Sequence, residues 1–129
     1  MASTPKSVTV RDFQPEGRFD RVVFYECFHH CSDHLRMIER LDELVSPGGA
    51  VVFADEPITD SFDWPWGLRL DGISLWAIRN HGWLELGFNT KYFRKAMARF
   101  GWTTTRLQSK DVGWQEVHVA RRTSEIHKA

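Results

Sequence analysis

Two short apolar runs of the chain, at 22–25 and 50–54, are each followed by a cluster of polar residues. Strands that are apolar at consecutive positions are typical of a parallel sheet covered by helices, whereas half-exposed hairpin strands alternate. We therefore predict parallel strands over 19–28 and 50–54. Because ligands of such sheets bind beyond the carboxyl ends of the strands, the polar clusters at 26–34 and 55–57 are predicted to form a site.

The residues between the two runs have the pattern of an amphipathic helix. Ser32 is predicted to cap its start, and Asp33 adds negative charge at the positive end of the helix dipole. The segment Pro47-Gly48-Gly49 is predicted to end the helix, because proline cannot donate a backbone hydrogen bond and glycine permits left-handed dihedral angles. The helix assignment rests on apolar side chains at helical spacing, which are Leu35, Ile38, Leu41 and Val45.

Three other segments of the chain have weaker patterns. Residues 57–88 are rich in aromatic residues and glycine, and we predict a long insert with a short helix over 73–79. Loops of that length usually serve as lids or binding segments. A short strand is predicted at 7–13 and a frayed tail at 123–129.

Between the insert and the tail, the pattern becomes regular again. A second helix is predicted over 91–100, with Thr90 as its cap. Two strands, at 103–108 and 112–121, are predicted to form an antiparallel hairpin with a turn at 109–111.

The composition favours an ordinary soluble globule. The chain has 129 residues, of which 42% are hydrophobic and 26% charged, enough for a single domain with its own core. The formal net charge is zero, which argues against a nucleic acid as partner. No apolar run approaches the roughly 20 residues that span a bilayer, so no membrane partner is expected. Because the first residues lack an apolar signal core and two cysteines make a poor disulfide framework, we expect a cytoplasmic protein.

Acidic and imidazole side chains stand at both predicted strand ends. Glu26, His29 and His30 follow the first strand, and a histidine near its usual pKa can deprotonate a hydroxyl or an amine. Asp55 and Glu56 follow the second strand, where they can receive a cationic or hydroxylated acceptor. The alternative is structural: one histidine packs on the helix start, and the carboxylates are solvated loop charges.

The aromatic insert is a second candidate for ligand contact. Trp64, Trp66 and Trp76, together with Arg69, can form the wall of a pocket for a small acceptor. The alternative is that these tryptophans fill the core or an interface, since buried aromatic rings supply large contact areas.

The residues at 26–34 also have the composition of a metal cluster. Zinc takes four nitrogen or sulfur ligands, but no second ligand pair occurs elsewhere in the sequence. Cys27 is expected to be buried as a small apolar residue instead. The cluster consists of Cys27, His29, His30, Cys31 and His34.

Several of these motifs occur together in one known family. Phe19-Asp20 opens an apolar strand, His29-His30 follows it, Asp33 starts a helix, and Pro47-Gly48-Gly49 precedes the next strand. In this order, and over residues 8–122, the chain resembles the C-terminal half of a class I S-adenosylmethionine-dependent methyltransferase.

The resemblance implies an α/β fold: a three-layer, partial Rossmann-like sheet of parallel strands with a C-terminal antiparallel hairpin. It also implies S-adenosylmethionine as the cofactor and a small molecule as the methyl acceptor. Glu26, His29 and His30 would be the catalytic residues, because the tip of this strand faces the methyl group and the acceptor in the family.

The chain departs from the family in its donor-binding part. Members carry a Gly-rich loop after their first strand, followed by an acidic ribose ligand, and this sequence has no Gly-x-Gly-x-x-Gly segment. Residues 7–13 would be a remnant strand, with Asp12 near an acidic position on the adenine side. We therefore expect residues 1–129 to be a single truncated methyltransferase-like domain that is inactive alone. The alternatives are a small-molecule binding or scaffolding module and a metal-binding protein.

The expected half-sheet has a consequence for assembly. In the whole family fold, the strand at 22–28 is central and paired on both sides, so its exposure here favours association. The strand at 7–13 can cover this edge, or two copies can pair edge to edge or through apolar helix faces. We predict a homodimer.

Overall fold

The computed structural model of the chain describes residues 16–108 and 116–126. The described ranges contain seven strands, four helices and one 3-10 turn at Phe28–His30. The elements follow the order β1 (Phe19–Tyr25), α1 (His34–Leu44), β2 (Val45–Ala54), β3 (Ile58–Thr59), β4 (Trp66–Leu68), α2 (Gly72–His81), β5 (Leu86–Asn89), α3 (Thr90–Arg99), β6 (Trp102–Gln108), β7 (Glu116–Arg122) and α4 (Thr123–Ile126).

The main sheet has the order β1-β2-β7-β6. Strands β1 and β2 are parallel, with Val22 opposite Val51 and Phe24 opposite Phe53. Strand β7 is antiparallel to both of its neighbours, β2 and β6. The parallel pair and the C-terminal hairpin are therefore confirmed, and the fold is a mixed, Rossmann-like α/β sheet.

The core lies between one face of this sheet and the helices α1 and α3. Ile38 and Leu41 of α1, Phe93 of α3, and Phe24 and Phe53 of the sheet belong to a single buried cluster. Burial of a side chain of this size contributes about 1.5–3 kcal/mol, so this cluster is the main source of stability. On the opposite face of the sheet, large apolar side chains are exposed in the described ranges, namely Val23, Tyr25 and Leu107.

Both predicted helix caps are wrong by one residue. The Asp33 side chain, not that of Ser32, accepts a hydrogen bond from the backbone N–H of Arg36. In α3, the Asn89 side chain accepts one from Lys91 N–H at 2.9 Å, and Thr90 lies inside the helix. Asp and Asn rank with Ser as caps, so the sequence alone does not decide between adjacent candidates.

Strand β2 begins directly after α1, at Val45 rather than at residue 50. Pro47-Gly48-Gly49 lies within the strand and does not end the helix. The β1–β2 register is irregular here, and a Cβ on Gly49 would lie 2.9 Å from the backbone oxygen of Asp20 and 2.6 Å from Val45 Cγ1. Glycine is therefore needed for the close approach of two strands. The first strand ends at Tyr25, three residues earlier than predicted.

The aromatic insert is more regular than the sequence predicted. Strands β3 and β4 pair with the two sides of β5 in a second, three-stranded sheet, in which Ile58 lies opposite Phe88. Helix α2 spans Gly72–His81, longer than the expected 73–79. It begins after the Asp71 side chain, which accepts from Ser74 N–H, and ends at Gly82 in the left-handed conformation.

The first part of the tail is helical, not frayed. In α4, Glu125 Oε1 accepts a hydrogen bond from Gly48 N–H at 3.0 Å, which holds the tail against the start of β2. Other predictions lie outside the described residues: the strand at 7–13 with Asp12, the turn at 109–111 and residues 127–129. None of the helices in the described ranges has the length and apolar character needed to cross a membrane.

Candidate functional site

The ends of β1 and β2 lie side by side because the strands are parallel and in register. Tyr25 is opposite Ala54, and the residues that follow them, Glu26 and Asp55, have positive φ angles of 48° and 54°. Such left-handed backbone is unfavourable for residues other than glycine and often occurs at functional sites. A hydrogen bond between the two side chains raises the pKa of Glu26, and the negative charge of Asp55 acts in the same direction.

Glu56 fixes the loop that follows β1. Its side chain is completely buried, and its Oε1 accepts hydrogen bonds from the backbone N–H groups of Cys27 (2.7 Å) and Phe28 (2.8 Å). Its Oε2 accepts from the backbone N–H of His29 at 3.2 Å and lies 2.8 Å from His29 Nδ1. Charge-assisted bonds of this kind are strong, so the 3-10 turn is anchored to the tip of β2.

His29 is held in one orientation by this carboxylate. Because a carboxylate only accepts hydrogen bonds, Nδ1 of His29 carries the proton, and Nε2 of the neutral ring has the lone pair. Nε2 lies 3.4 Å from Oε2 of Glu85, and the His29 side chain is 8% exposed. The ring is therefore oriented with its basic nitrogen beside a second carboxylate.

His30 and Glu85 complete the polar cluster. His30 Nδ1 lies 2.7 Å from the backbone oxygen of Leu84, so Nδ1–H donates to that carbonyl. Glu85 is buried, and one of its oxygens accepts from the guanidinium of Arg69. The ring of Trp83 packs edge-on against His30, with the ring centroids 5.8 Å apart.

These side chains surround an open cavity of about 480 Å³ at the strand ends. Six of the predicted site residues line it: Glu26, His29, His30, Asp55, Glu56 and Arg69. Trp83 also lines it and belongs to the predicted aromatic insert, although it was not chosen as a site residue. Glu85 lines it as well and was not predicted. The one charged residue within the apolar segment Leu84-Glu85-Leu86 was the available signal for Glu85.

The three predicted tryptophans do not line this cavity. Trp64 and Trp76 are 68% and 58% exposed, and Trp66 packs on the ring of His34 at a centroid distance of 4.8 Å. Trp76 instead borders a separate groove with Leu75 and Arg79. A substrate role for these tryptophans stays a prediction.

The Cys/His cluster is divided between two environments. His34 faces the core, where its Nε2 lies 2.6 Å from the hydroxyl of Tyr92 and burial lowers its pKa. Cys31 is half-buried, and this burial raises the pKa of its thiol. Cys27 is exposed, contrary to the expectation that it is buried. His34 therefore lies away from His29 and His30, which face the cavity.

The fold and the polar strand ends agree with comparisons to known proteins. A family model described as a methyltransferase domain matches residues 3–107, so the chain belongs to this family. No curated protein sequence matches it. A similar solved structure is the 1,6-didemethyltoxoflavin-N1-methyltransferase of Burkholderia thailandensis with bound 1,6-didemethyltoxoflavin and S-adenosylhomocysteine. That enzyme is 20% identical with a TM-score of 0.60, and the match covers 90% of this chain and 49% of that chain.

Two further structures have the same fold. An O-methyltransferase family protein from Burkholderia thailandensis is 22% identical with a TM-score of 0.62, over 89% of this chain and 33% of that chain. The DhpI–SAM–HEP complex is 16% identical with a TM-score of 0.60, over 90% of this chain and 56% of that chain. The chain thus spans between a third and just over half of these proteins. S-adenosylmethionine is the methyl donor of the family.

Proposed function

We propose that this chain supplies the acceptor side of an S-adenosylmethionine-dependent methyltransferase, and that His29 removes a proton from the acceptor. The observation that carries the proposal is the buried contact between Glu56 and His29 Nδ1, at the carboxyl ends of two parallel strands. An oriented imidazole with a free lone pair beside an open cavity has the geometry of a general base. Glu56 is then a positioning residue rather than a substrate ligand.

In the proposed step, the O–H or N–H bond of the acceptor breaks and its proton moves to His29 Nε2. The electron pair stays on the acceptor atom, which becomes the nucleophile. The imidazolium formed would lie between two carboxylates, with Glu56 at 2.8 Å from Nδ1 and Glu85 at 3.4 Å from Nε2. Fixed charges that stabilise a developing charge lower the barrier without reorganisation.

The lining of the cavity favours a small, planar, hydroxylated or N–H-bearing acceptor. Trp83 offers an aromatic edge, while Arg69 and Asp55 offer polar contacts, and about 480 Å³ suits a molecule of one to three rings. Related structures support this class, since one acts at N1 of 1,6-didemethyltoxoflavin and another is the mitomycin 7-O-methyltransferase MmcR.

The residues present do not fit the donor. Within residues 16–108 and 116–126, no strand is followed by a Gly-rich turn that opens a helix, the usual cradle for a nucleotide-like group. We therefore propose that this chain alone does not transfer methyl groups. A cytoplasmic location is part of the proposal, supported by the free thiols of Cys27 and Cys31.

The acceptor site is tested by nuclear magnetic resonance titration with a panel of phenols and N–H heteroaromatic rings. We expect shifts centred on the Trp83 indole and the His30 ring, and a dissociation constant at least about tenfold weaker in Trp83→Leu. Trp64→Leu is the matched control, because Trp64 is exposed and lies away from the cavity. Equal effects of the two substitutions, or no shifts at all, would contradict the site.

The alternative function, a small-molecule binding module, is favoured because residues 16–108 and 116–126 contain no donor cradle. Calorimetry with S-adenosylhomocysteine distinguishes the methyltransferase function from the binding-module function. A donor site reconstituted between copies of the chain gives measurable heat that depends on protein concentration. No heat, together with a ligand in the cavity, favours the binding module.

A further inference from the structure

Three metal-ligand side chains converge at the cavity in a set different from the Cys/His cluster of the sequence. They are His29, His30 and Glu85, and one ligand-type atom of each lies within 4.8 Å of the other two. The adjacent histidines come from the 3-10 turn after β1, and Glu85 precedes β5. Two imidazoles and one carboxylate form a common ligand set for zinc and similar cations.

Each of the three side chains has a supporting partner that leaves a ligand atom available. His29 Nδ1–H donates to Glu56 at 2.8 Å, and His30 Nδ1–H donates to the Leu84 carbonyl at 2.7 Å, so Nε2 of each ring has the lone pair. Arg69 donates to Oε2 of Glu85, which also lies 3.4 Å from His29 Nε2, and Oε1 lies 3.6 Å from His30 Nδ1. Carboxylate and carbonyl partners on the far nitrogen are typical of metal-binding histidines, because they fix the tautomer and the ring orientation.

The spacing requires one of the rings to turn. Bonds of about 2.0–2.2 Å in a tetrahedral site separate neighbouring ligand atoms by roughly 3.3 Å. His29 Nε2 and Glu85 Oε2 are already 3.4 Å apart. The His30 nitrogen near Glu85 is Nδ1, at 3.6 Å from Oε1, so the His30 ring must turn to present Nε2. Its side chain is 34% exposed and is the most exposed of the three.

We propose that His29, His30 and Glu85 bind a divalent cation of the Zn²⁺ class, with the fourth position open to the cavity. Imidazole and carboxylate ligands suit Zn²⁺, Co²⁺ and Ni²⁺. The carboxylates of Glu26 and Asp55, which line the same cavity, favour a cation there. Metal binding takes the lone pair of His29 Nε2, so the proposed proton abstraction by that nitrogen belongs to the metal-free form of the chain. The site rests on geometry and not on the proposed function.

The test is a titration of the metal-free full chain with Zn²⁺ by calorimetry and with Co²⁺ by absorption spectroscopy. We expect one equivalent per chain, a cobalt spectrum without a thiolate charge-transfer band, and binding at least about tenfold weaker in His30→Gln and in Glu85→Gln. His81→Gln and the double variant Cys27→Ser, Cys31→Ser are the controls, and both are expected to bind as the unmodified chain does.

Two results would overturn the proposal. One is unchanged affinity in His30→Gln, which changes a partly exposed side chain and so is informative even if Glu85→Gln fails to fold. The other is a thiolate band that disappears in the cysteine double variant, which would place the metal on the Cys/His cluster instead. Circular dichroism of each variant confirms that the fold is kept. Because every readout is metal binding, failure here leaves the general-base proposal standing.

Discussion

Among single side chains, Glu56 has the largest share in organising the site. A buried carboxylate without partners is strongly unfavourable, but Glu56 accepts from three backbone N–H groups and one imidazole. The same four contacts close the 3-10 turn and select the tautomer of His29. Both the fold of the 3-10 turn and the tautomer of His29 therefore depend on Glu56.

Substitution of Glu56 by Gln tests this double role. The amide oxygen can keep the contacts to Cys27 and Phe28, whereas the amide nitrogen then faces the N–H and Nδ1 of His29. Nδ1 becomes the acceptor, and the proton moves to Nε2. We expect a loss of about 1–3 kcal/mol in the free energy of unfolding and a tautomer change in the ¹⁵N shifts of His29.

The matched control for this experiment is Glu26→Gln, at the tip of the neighbouring strand. Glu26 contacts Asp55 and forms no bond with the His29 ring among the described contacts, so its substitution should leave the His29 tautomer unchanged. An unaltered tautomer in Glu56→Gln would contradict the positioning role.

A second buried histidine makes stability depend on pH. His118 is 1% exposed, and burial first, then the positive charges of Arg106 and Arg94, lowers its pKa to about 4, while Asp60 acts in the opposite direction. Glu116 also faces it, with Oε2 3.9 Å from Nε2. A lowered pKa means that the unfolded chain binds the proton first, so stability is full above about pH 6.5 and is lost as the pH falls towards 4.

From pH 7 to pH 5, His118 should lower the free energy of unfolding by about 2 kcal/mol. Urea denaturation at the two pH values measures this difference in the free energy of unfolding. His118→Phe should remove this part of the difference, whereas His81→Gln should keep it, because His81 is exposed. A smaller pH dependence remains in His118→Phe, since burial also lowers the pKa of His34. An equal pH dependence in His118→Phe and the unmodified chain would contradict the assignment.

Among the secondary-structure elements, the bulged start of β2 is the most restrictive. Gly49→Ala would bring a Cβ to 2.9 Å from the backbone oxygens of Asp20 and Ser46. Backbone cannot move as a side-chain end does, so we expect a loss of about 2–4 kcal/mol in urea denaturation. Gly72→Ala is the control: a Cβ there meets nothing within 4 Å, and alanine favours the first turn of α2. A neutral Gly49→Ala would show that the strands separate easily.

The same strand shows which features were readable in the sequence. The order of β1, α1 and β2, and the polar residues at both strand ends, followed from apolar runs and helical spacing, which are local signals. The start of β2 could not be predicted in this way, because Gly49 is needed for the close approach to the backbone of Asp20 on another strand. The pairing of Ile58 with Phe88 could not be predicted either, since a two-residue strand has no periodicity.

For the site, the sequence predicted the residues at the strand ends and Arg69 of the insert, but not Glu85. Glu26, His29, His30, Asp55 and Glu56 lie at strand ends, so topology brings them together. Trp83 and Glu85 arrive through the packing of the second sheet, which no local pattern encodes. The role of Glu56 also required its hydrogen bonds, because charge alone does not separate a buried anchor from a solvated carboxylate.

In the molecule as a whole, the position of β1 at the end of the described sheet leads to a prediction about assembly. Within the described residues β1 pairs with β2 alone, and its outward side chains Val23 and Tyr25 are 59% and 63% exposed. Edge strands with apolar side chains tend to pair with other chains. In an antiparallel pair of two copies centred on Val22, Arg21 would lie opposite Val23, and no like charges would face each other.

We therefore expect the chain to form a homodimer through β1. Multi-angle light scattering should give a mass that rises from monomer to dimer with concentration in the micromolar range. Val23→Lys places a charge on the outer face of the edge and should shift the equilibrium towards monomer. Ile73→Lys is the matched control, since Ile73 is 83% exposed on α2, away from β1. If the unmodified chain stays monomeric, or both substitutions act alike, the edge is covered in another way.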